Sequence, residues 1–143
     1  MMSNIATILA RKGSSYVTVE PEQTVLEALQ LMADKNVGAV VVKDGEDYHG
    51  IFTERDYSRN VILKNRHSSE TKVKEVMSVN LPELHALDSL NHCMQLMADQ
   101  NVRYLPVMDD GKMTGIISIT DVIREKVIYQ KEVIKHLKEY IQG

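Results

Sequence analysis

One pattern occurs twice in this chain, and the repetition limits what it can fold into. Gly50-Ile51-Phe52-Thr53-Glu54-Arg55-Asp56 returns 65 residues later as Gly115-Ile116-Ile117-Ser118-Ile119-Thr120-Asp121. At the same offset Gln30, Leu31, Met32, Ala33, Asp34, Asn36, Val37, Val42, Asp44 and Arg59 also recur, giving thirteen identities over the thirty positions from 30 to 59 without a gap. A duplication of this extent implies two like units whose apolar faces need covering. Each copy of the pattern follows a short apolar run and opens a helical one. A strand that feeds straight into a helix leaves main-chain N–H groups unpaired at the junction, and these attract anions.

Hydroxyl-x-x-acid is also the spacing of a capping box, which satisfies those same donors without any ligand. Thr24 and Glu27 have it, and are read as a cap only. Two features set the other copies apart. The Gly and its apolar pair recur in register, and the acid is Asp, shorter than the Glu that usually reaches back to the cap.

Periodicity and punctuation give the remaining elements. Ser3 to Lys12 reads as a short helix capped by Ser3 or Asn4 and stopped at Gly13. Tyr16 to Val19 is a brief strand, Thr24 to Lys35 a one-faced helix ended by Asn36, and Val37–Val42 and Tyr48–Thr53 two strands around a turn. Glu54 to Lys64 is helical and Asn65 to Thr71 a polar linker. The order then repeats: a helical turn at Lys72–Met77, a poor edge strand at Leu81–His85 containing Pro82, a helix at Ser89–Gln100, strands at Arg103–Met108 and Met113–Ser118, and a long helix from Ile119 towards Ile141. The fold class is α+β: two βαββα repeats packed about a pseudo-two-fold axis, with a short N-terminal and a long C-terminal helix. The repeat divides the chain into 1–71, with the N-terminal helix and linker, and 72–143, with the C-terminal helix.

Composition excludes several classes. A net charge of −3 provides no basic footprint for nucleic acid. The longest apolar run, Val37 to Val42, is far short of a membrane span, and no secretory h-region precedes Arg11 and Lys12. The single cysteine, Cys93, points to a reducing compartment, so a cytoplasmic protein is expected. His49, His67, His85, His92 and His136 share no metal-ligand spacing. No nucleophile–base pair and no P-loop is legible, so an enzyme is not expected. Cys93, Met94 and Met97 read as helix packing. Ile123, Val127, Ile134, Leu137 and Ile141 form a stripe on the last helix that suits a homodimer contact.

The two Gly-apolar-apolar-Thr/Ser-x-x-Asp motifs, with Val102-Arg103-Tyr104-Leu105-Pro106-Val107, resemble a tandem pair of cystathionine-β-synthase (CBS) domains, a Bateman module, over about residues 14 to 128. The resemblance is closest to small stand-alone pairs of bacteria and plant organelles with a Thr-Glu-Arg-Asp-Tyr run. It implies a regulatory module that binds an adenine nucleotide (AMP, ADP, ATP or NAD, or S-adenosylmethionine) in clefts between the repeats, senses energy or redox state, and acts in trans on a partner. It also implies that Asp56 and Asp121 hold the ribose hydroxyls, with Thr53 and Ser118 near the phosphate. A carboxylate suits that role because it accepts hydrogen bonds from both hydroxyls of a vicinal diol. A hairpin turning near Asp110 sets Arg103 opposite Ser118 and Gly38 opposite Thr53, so Arg103 and Arg55 are the expected phosphate cations, with Lys12, Arg59 and Arg124 weaker candidates. The alternative is a protein-interaction or redox-linked regulator whose clefts are vestigial.

Overall fold

The computed structural model describes residues 3–142. Its elements follow the duplicated order: α1 (Ile5–Lys12), β1 (Thr18–Val19), α2 (Val25–Lys35), β2 (Ala39–Asp44), β3 (Asp47–Thr53), α3 (Glu54–Asn60), α4 (Leu90–Gln100), β4 (Tyr104–Asp109), β5 (Lys112–Ser118) and α5 (Ile119–Gln142), with 3-10 turns at Ile62–Lys64 and Val73–Glu75. This is the expected α+β pair of repeats with its short first and long last helix.

Local chemistry sets the boundaries. Asn4 caps α1 through Thr7, and Thr24 and Glu27 form the expected capping box on α2. Asn36 and Asn101, identical in the repeat, both end their helices in the left-handed conformation at φ 54° and 53°, a position where Asn is tolerated. The expected strand at Leu81–His85 shrinks to one parallel bridge, Leu84 to Val107. Pro82 lacks the N–H that would extend it.

The chain forms two compact units, and they do not follow the sequence repeat. One is Ser15–Leu81; the other joins Met1–Ser14 to Pro82–Gly143. The compact units thus divide at 81/82, ten residues beyond the repeat boundary at 71/72, and α1 packs in the unit that holds the second repeat. The cause is an exchange of leading segments. Val73 and Val76, which precede the second repeat, lie in the core of the first with Val19, Val25, Ala28, Met32, Val40, Val42, Phe52 and Val61. In the other unit α1, which precedes the first repeat, buries Ile5 and Ile8, and Glu125 of α5 receives the Arg11 guanidinium at 2.7 Å and 3.0 Å.

Sheet register corrects one expectation. In the first unit β1 lies parallel to β2, and β2 antiparallel to β3. Val42 faces Gly50 while Lys43 faces Tyr48, so His49 is an extra residue. In the second unit Val107 faces Gly115 and Met108 faces Met113, so Thr114 is extra at the equivalent place. A bulge moves every pair beyond it by one residue. The partner of Thr53 is therefore Ala39 rather than Gly38, and the partner of Ser118 is Tyr104 rather than Arg103. Arg103 is exposed just outside the ladder, where its carbonyl accepts the Ile119 N–H at 2.9 Å.

Candidate functional site

Each unit has one corner where its last strand runs into a helix, and the motif acid lies there, buried to 8% exposure in both cases. In the first unit Thr53 is the N-cap of α3. Its hydroxyl oxygen accepts the Asp56 N–H at 3.1 Å, and Asp56 Oδ2 accepts both the Thr53 N–H and the Thr53 hydroxyl at 3.0 Å. The second unit repeats this: Ser118 Oγ accepts the Asp121 N–H at 3.1 Å, and Asp121 Oδ2 accepts the Ser118 N–H at 2.9 Å. Both corners are thus capping boxes, so the shorter Asp does reach back as Glu would. The tight strand-to-helix corner brings the cap N–H within reach of the shorter side chain.

The corners differ in what the exchanged leading segment delivers. In the first unit Ser78, bridged to Ile51 of β3, donates its hydroxyl to Asp56 Oδ1 at 2.8 Å. In the second unit Lys12, at the end of α1, donates from Nζ to Asp121 Oδ2 at 2.7 Å and to the Ile116 carbonyl at 2.9 Å. Arg124 Nη1 stands 3.7 Å from Asp121 Oδ1. Burial works to raise the Asp121 pKa, but Lys12 and the Ser118 N–H outweigh it and hold the carboxyl below its usual value. Glu125, one turn on, is likewise held low, chiefly by the Arg11 guanidinium.

The expected site residues therefore assemble unevenly. Thr53 with Asp56, and Ser118 with Asp121, meet as pairs. Arg55 lies half-buried on the first turn of α3, and Arg59 is exposed on its last turn. Lys12 reaches Asp121, whereas the bulge keeps Arg103 from being the strand partner of Ser118. Ser78 was missed, because nothing in a solitary serine between Met77 and Val79 marks it as facing an acid 22 residues earlier. Its signal was the phase of the repeat: the segments before the two repeats end at equivalent places, Lys12-Gly13 and Met77-Ser78.

The recurrent glycines have a packing reason. A Cβ on Gly50 would strike the Ser78 carbonyl, and one on Gly115 would come 2.7 Å from Leu9 Cδ2. In the first unit a groove of about 350 Å³ runs along α2 to Glu54, lined also by Leu29, Met32 and Val37, and does not include Asp56. Cys93 is fully buried in α4, and burial, with the charges of Asp88 and Asp121, pushes its thiol up to about 12. It is a protonated core side chain, not a reactive thiolate. Among the described residues no group of three or more His, Cys, Asp or Glu side chains could hold a metal ion. No helix there is long and apolar enough to cross a membrane.

Two βαββα repeats, each with a hydroxyl–acid corner at a strand-to-helix junction, define a tandem-repeat module. The CBS domain family model matches residues 6–62 and 73–128, and the chain belongs to that family as a tandem pair. The family places it among regulatory, signal-transducing modules, which are generally non-catalytic. The chain is similar to the mitochondrial CBS domain-containing protein CBSX3 of Arabidopsis thaliana, at 38% identity over 99% of this chain and 73% of the relative. It is also similar to the CBS domain-containing protein YhcV of Bacillus subtilis, at 37% identity over 76% of each chain. Among solved structures, a protein with CBS domains from Burkholderia ambifaria superposes with a TM-score of 0.85 at 40% identity, covering 88% of this chain and 95% of that one.

Proposed function

We propose that the protein is a regulatory module that binds an adenine nucleotide (AMP, ADP, ATP or NAD) at its two hydroxyl–acid corners and reports energy or redox state to a partner protein. The observation that carries this reading is the building of one corner twice, with a buried carboxylate at each, in a chain of the CBS family. In each carboxylate the cap occupies Oδ2 through one main-chain N–H. An ionised carboxylate has about four acceptor sites, so the remainder face groups that can rotate away or be exchanged: the Thr53 and Ser78 hydroxyls on Asp56, and Lys12 on Asp121. A ribose diol fits such a carboxylate. Thr53 with Arg55, and Ser118 with Lys12, then meet the phosphate, Lys12 taking the role expected of Arg103. Its setting is proposed to be the cytoplasm, a reducing compartment that suits a chain with a single cysteine.

Thermal melts across AMP, ADP, ATP, NAD and S-adenosylmethionine test this. A ligand bound only by the folded state, at about one hundred times its Kd, stabilises by about 2.7 kcal/mol. That corresponds to a rise of roughly 5–10 °C in Tm for a chain of this size. If no adenylate moves the midpoint, the corners are plain helix caps and the alternative of vestigial clefts stands.

A second copy of the chain is the proposed partner of α5. Its buried residues are Asp121, Val122 and Glu125, while Ile123, Val127, Ile134, Leu137 and Ile141 on its other side are 42–81% exposed. An apolar stripe turned outward in this way is covered by association. Leu137→Glu should convert a dimer to a monomer in light scattering, and an unchanged mass would remove α5 from the contact.

A further inference from the structure

The two acids differ in the group the exchanged segment supplies, a hydroxyl for Asp56 and an ammonium for Asp121. From this difference we infer that Lys12 makes the Ser118–Asp121 corner selective for phosphorylated nucleosides over unphosphorylated ones. The inference rests on the nucleotide reading above and adds a specificity that the reading does not contain.

A vicinal diol is held most directly with one hydroxyl on each carboxylate oxygen, giving two charge-assisted hydrogen bonds. Asp121 Oδ2 already carries the Ser118 N–H and Lys12 Nζ, at 2.9 Å and 2.7 Å. The N–H is fixed by the helix start, so Lys12 is the group that must give way. Its side chain is 28% exposed against 9% for Asp121, so it is the member of the pair with open space to move into. Once displaced, it has lost a counter-ion in a partly desolvated place and keeps only the Ile116 carbonyl. A phosphate on the arriving ligand restores the lost charge partner, whereas a plain nucleoside does not. Arg124 is no substitute: it stands farther off, at 3.7 Å, and is 62% exposed. At the first corner the corresponding exchange displaces a hydroxyl, which can rotate to another acceptor. Displacement of a counter-ion, and the discrimination that follows from it, is therefore a property of the second corner.

Calorimetric titration with AMP and adenosine, on wild type and on variants that melt cooperatively, tests this. Asp56→Asn weakens the first corner so that the second can be read. In that background AMP should bind at least about tenfold more tightly than adenosine, the scale of one charge-assisted hydrogen bond. Adding Lys12→Met, which keeps the aliphatic stem, should bring the ratio below about threefold by weakening AMP and leaving adenosine unchanged or tighter. Adding Lys12→Arg should preserve the preference. A purely structural role for Lys12 would weaken both ligands alike. The inference is overturned if Lys12→Met leaves the ratio intact, or if Asp56→Asn abolishes AMP binding that wild type shows. If wild type binds neither ligand, the nucleotide reading itself falls and the inference with it.

Discussion

Gly50→Ala should lower the melting temperature by about 10 °C, while Gly115→Ala, the same change at the same motif position, should lower it by about 3 °C or less. The difference lies in what the new methyl group meets. At Gly50 it strikes the carbonyl of Ser78, which is main chain and cannot swing aside. That carbonyl accepts the Ile51 N–H at 3.1 Å, and the Ser78 N–H donates to the Ile51 carbonyl at 2.9 Å. Moving Ser78 also withdraws its hydroxyl from Asp56 and lifts Val73 and Val76 from the core they help fill. Overpacking of this kind, with paired main-chain groups lost, costs about 3 kcal/mol. At Gly115 the obstacle is the end of the Leu9 side chain, which can change rotamer for about 1 kcal/mol. Neither glycine has a positive φ, so backbone strain does not contribute. Matched thermal melts of the two variants decide it. If Gly50→Ala melts within about 2 °C of Gly115→Ala, close approach of the Ser78 backbone is not what keeps glycine at this place.

Such contacts also mark how far the fold could be read in advance. Helices α2 and α4 were legible because their information is local: a hydroxyl at the start, apolar residues on one face, Asn to end them. The hairpins were legible as turns but not in register, because His49 and Thr114 each insert one residue between a correct turn and a correct corner. Nothing in the residue types announces a bulge, and one extra residue sufficed to put Tyr104, not Arg103, opposite Ser118. The exchange of α1 and Val73–Glu75 was invisible for a different reason. Both are short amphipathic segments, and their apolar residues show that a face is buried without showing which sheet buries it. Lys12 ranked only as a weaker candidate for the same reason. Read as the end of a helix on the first repeat it is a solvated charge, whereas on the second it reaches the motif acid.

The double variant Asp56→Asn/Asp121→Asn should weaken AMP binding at each corner by about ten- to one-hundredfold while shifting the melting temperature by only a few degrees. Asparagine is the informative replacement because the carboxylates have two duties. Each accepts the N–H of its own cap residue, Thr53 or Ser118, so alanine would remove a helix cap worth about 1 kcal/mol along with any ligand contact. Asparagine keeps one carbonyl oxygen for the main-chain N–H but has no second acceptor and no charge. A diol that used both oxygens then loses at least one charge-assisted hydrogen bond per corner, about 1.5–3 kcal/mol each. Asp121→Asn should also be the less stable single variant, since it strips Lys12 of its ion pair, whereas Asp56→Asn loses only hydrogen bonds from hydroxyls. Titration calorimetry reads the affinity and thermal melts read the fold. If wild type binds AMP and the folded double variant binds it equally well, the acids are caps and nothing more, and the nucleotide site lies elsewhere on the chain.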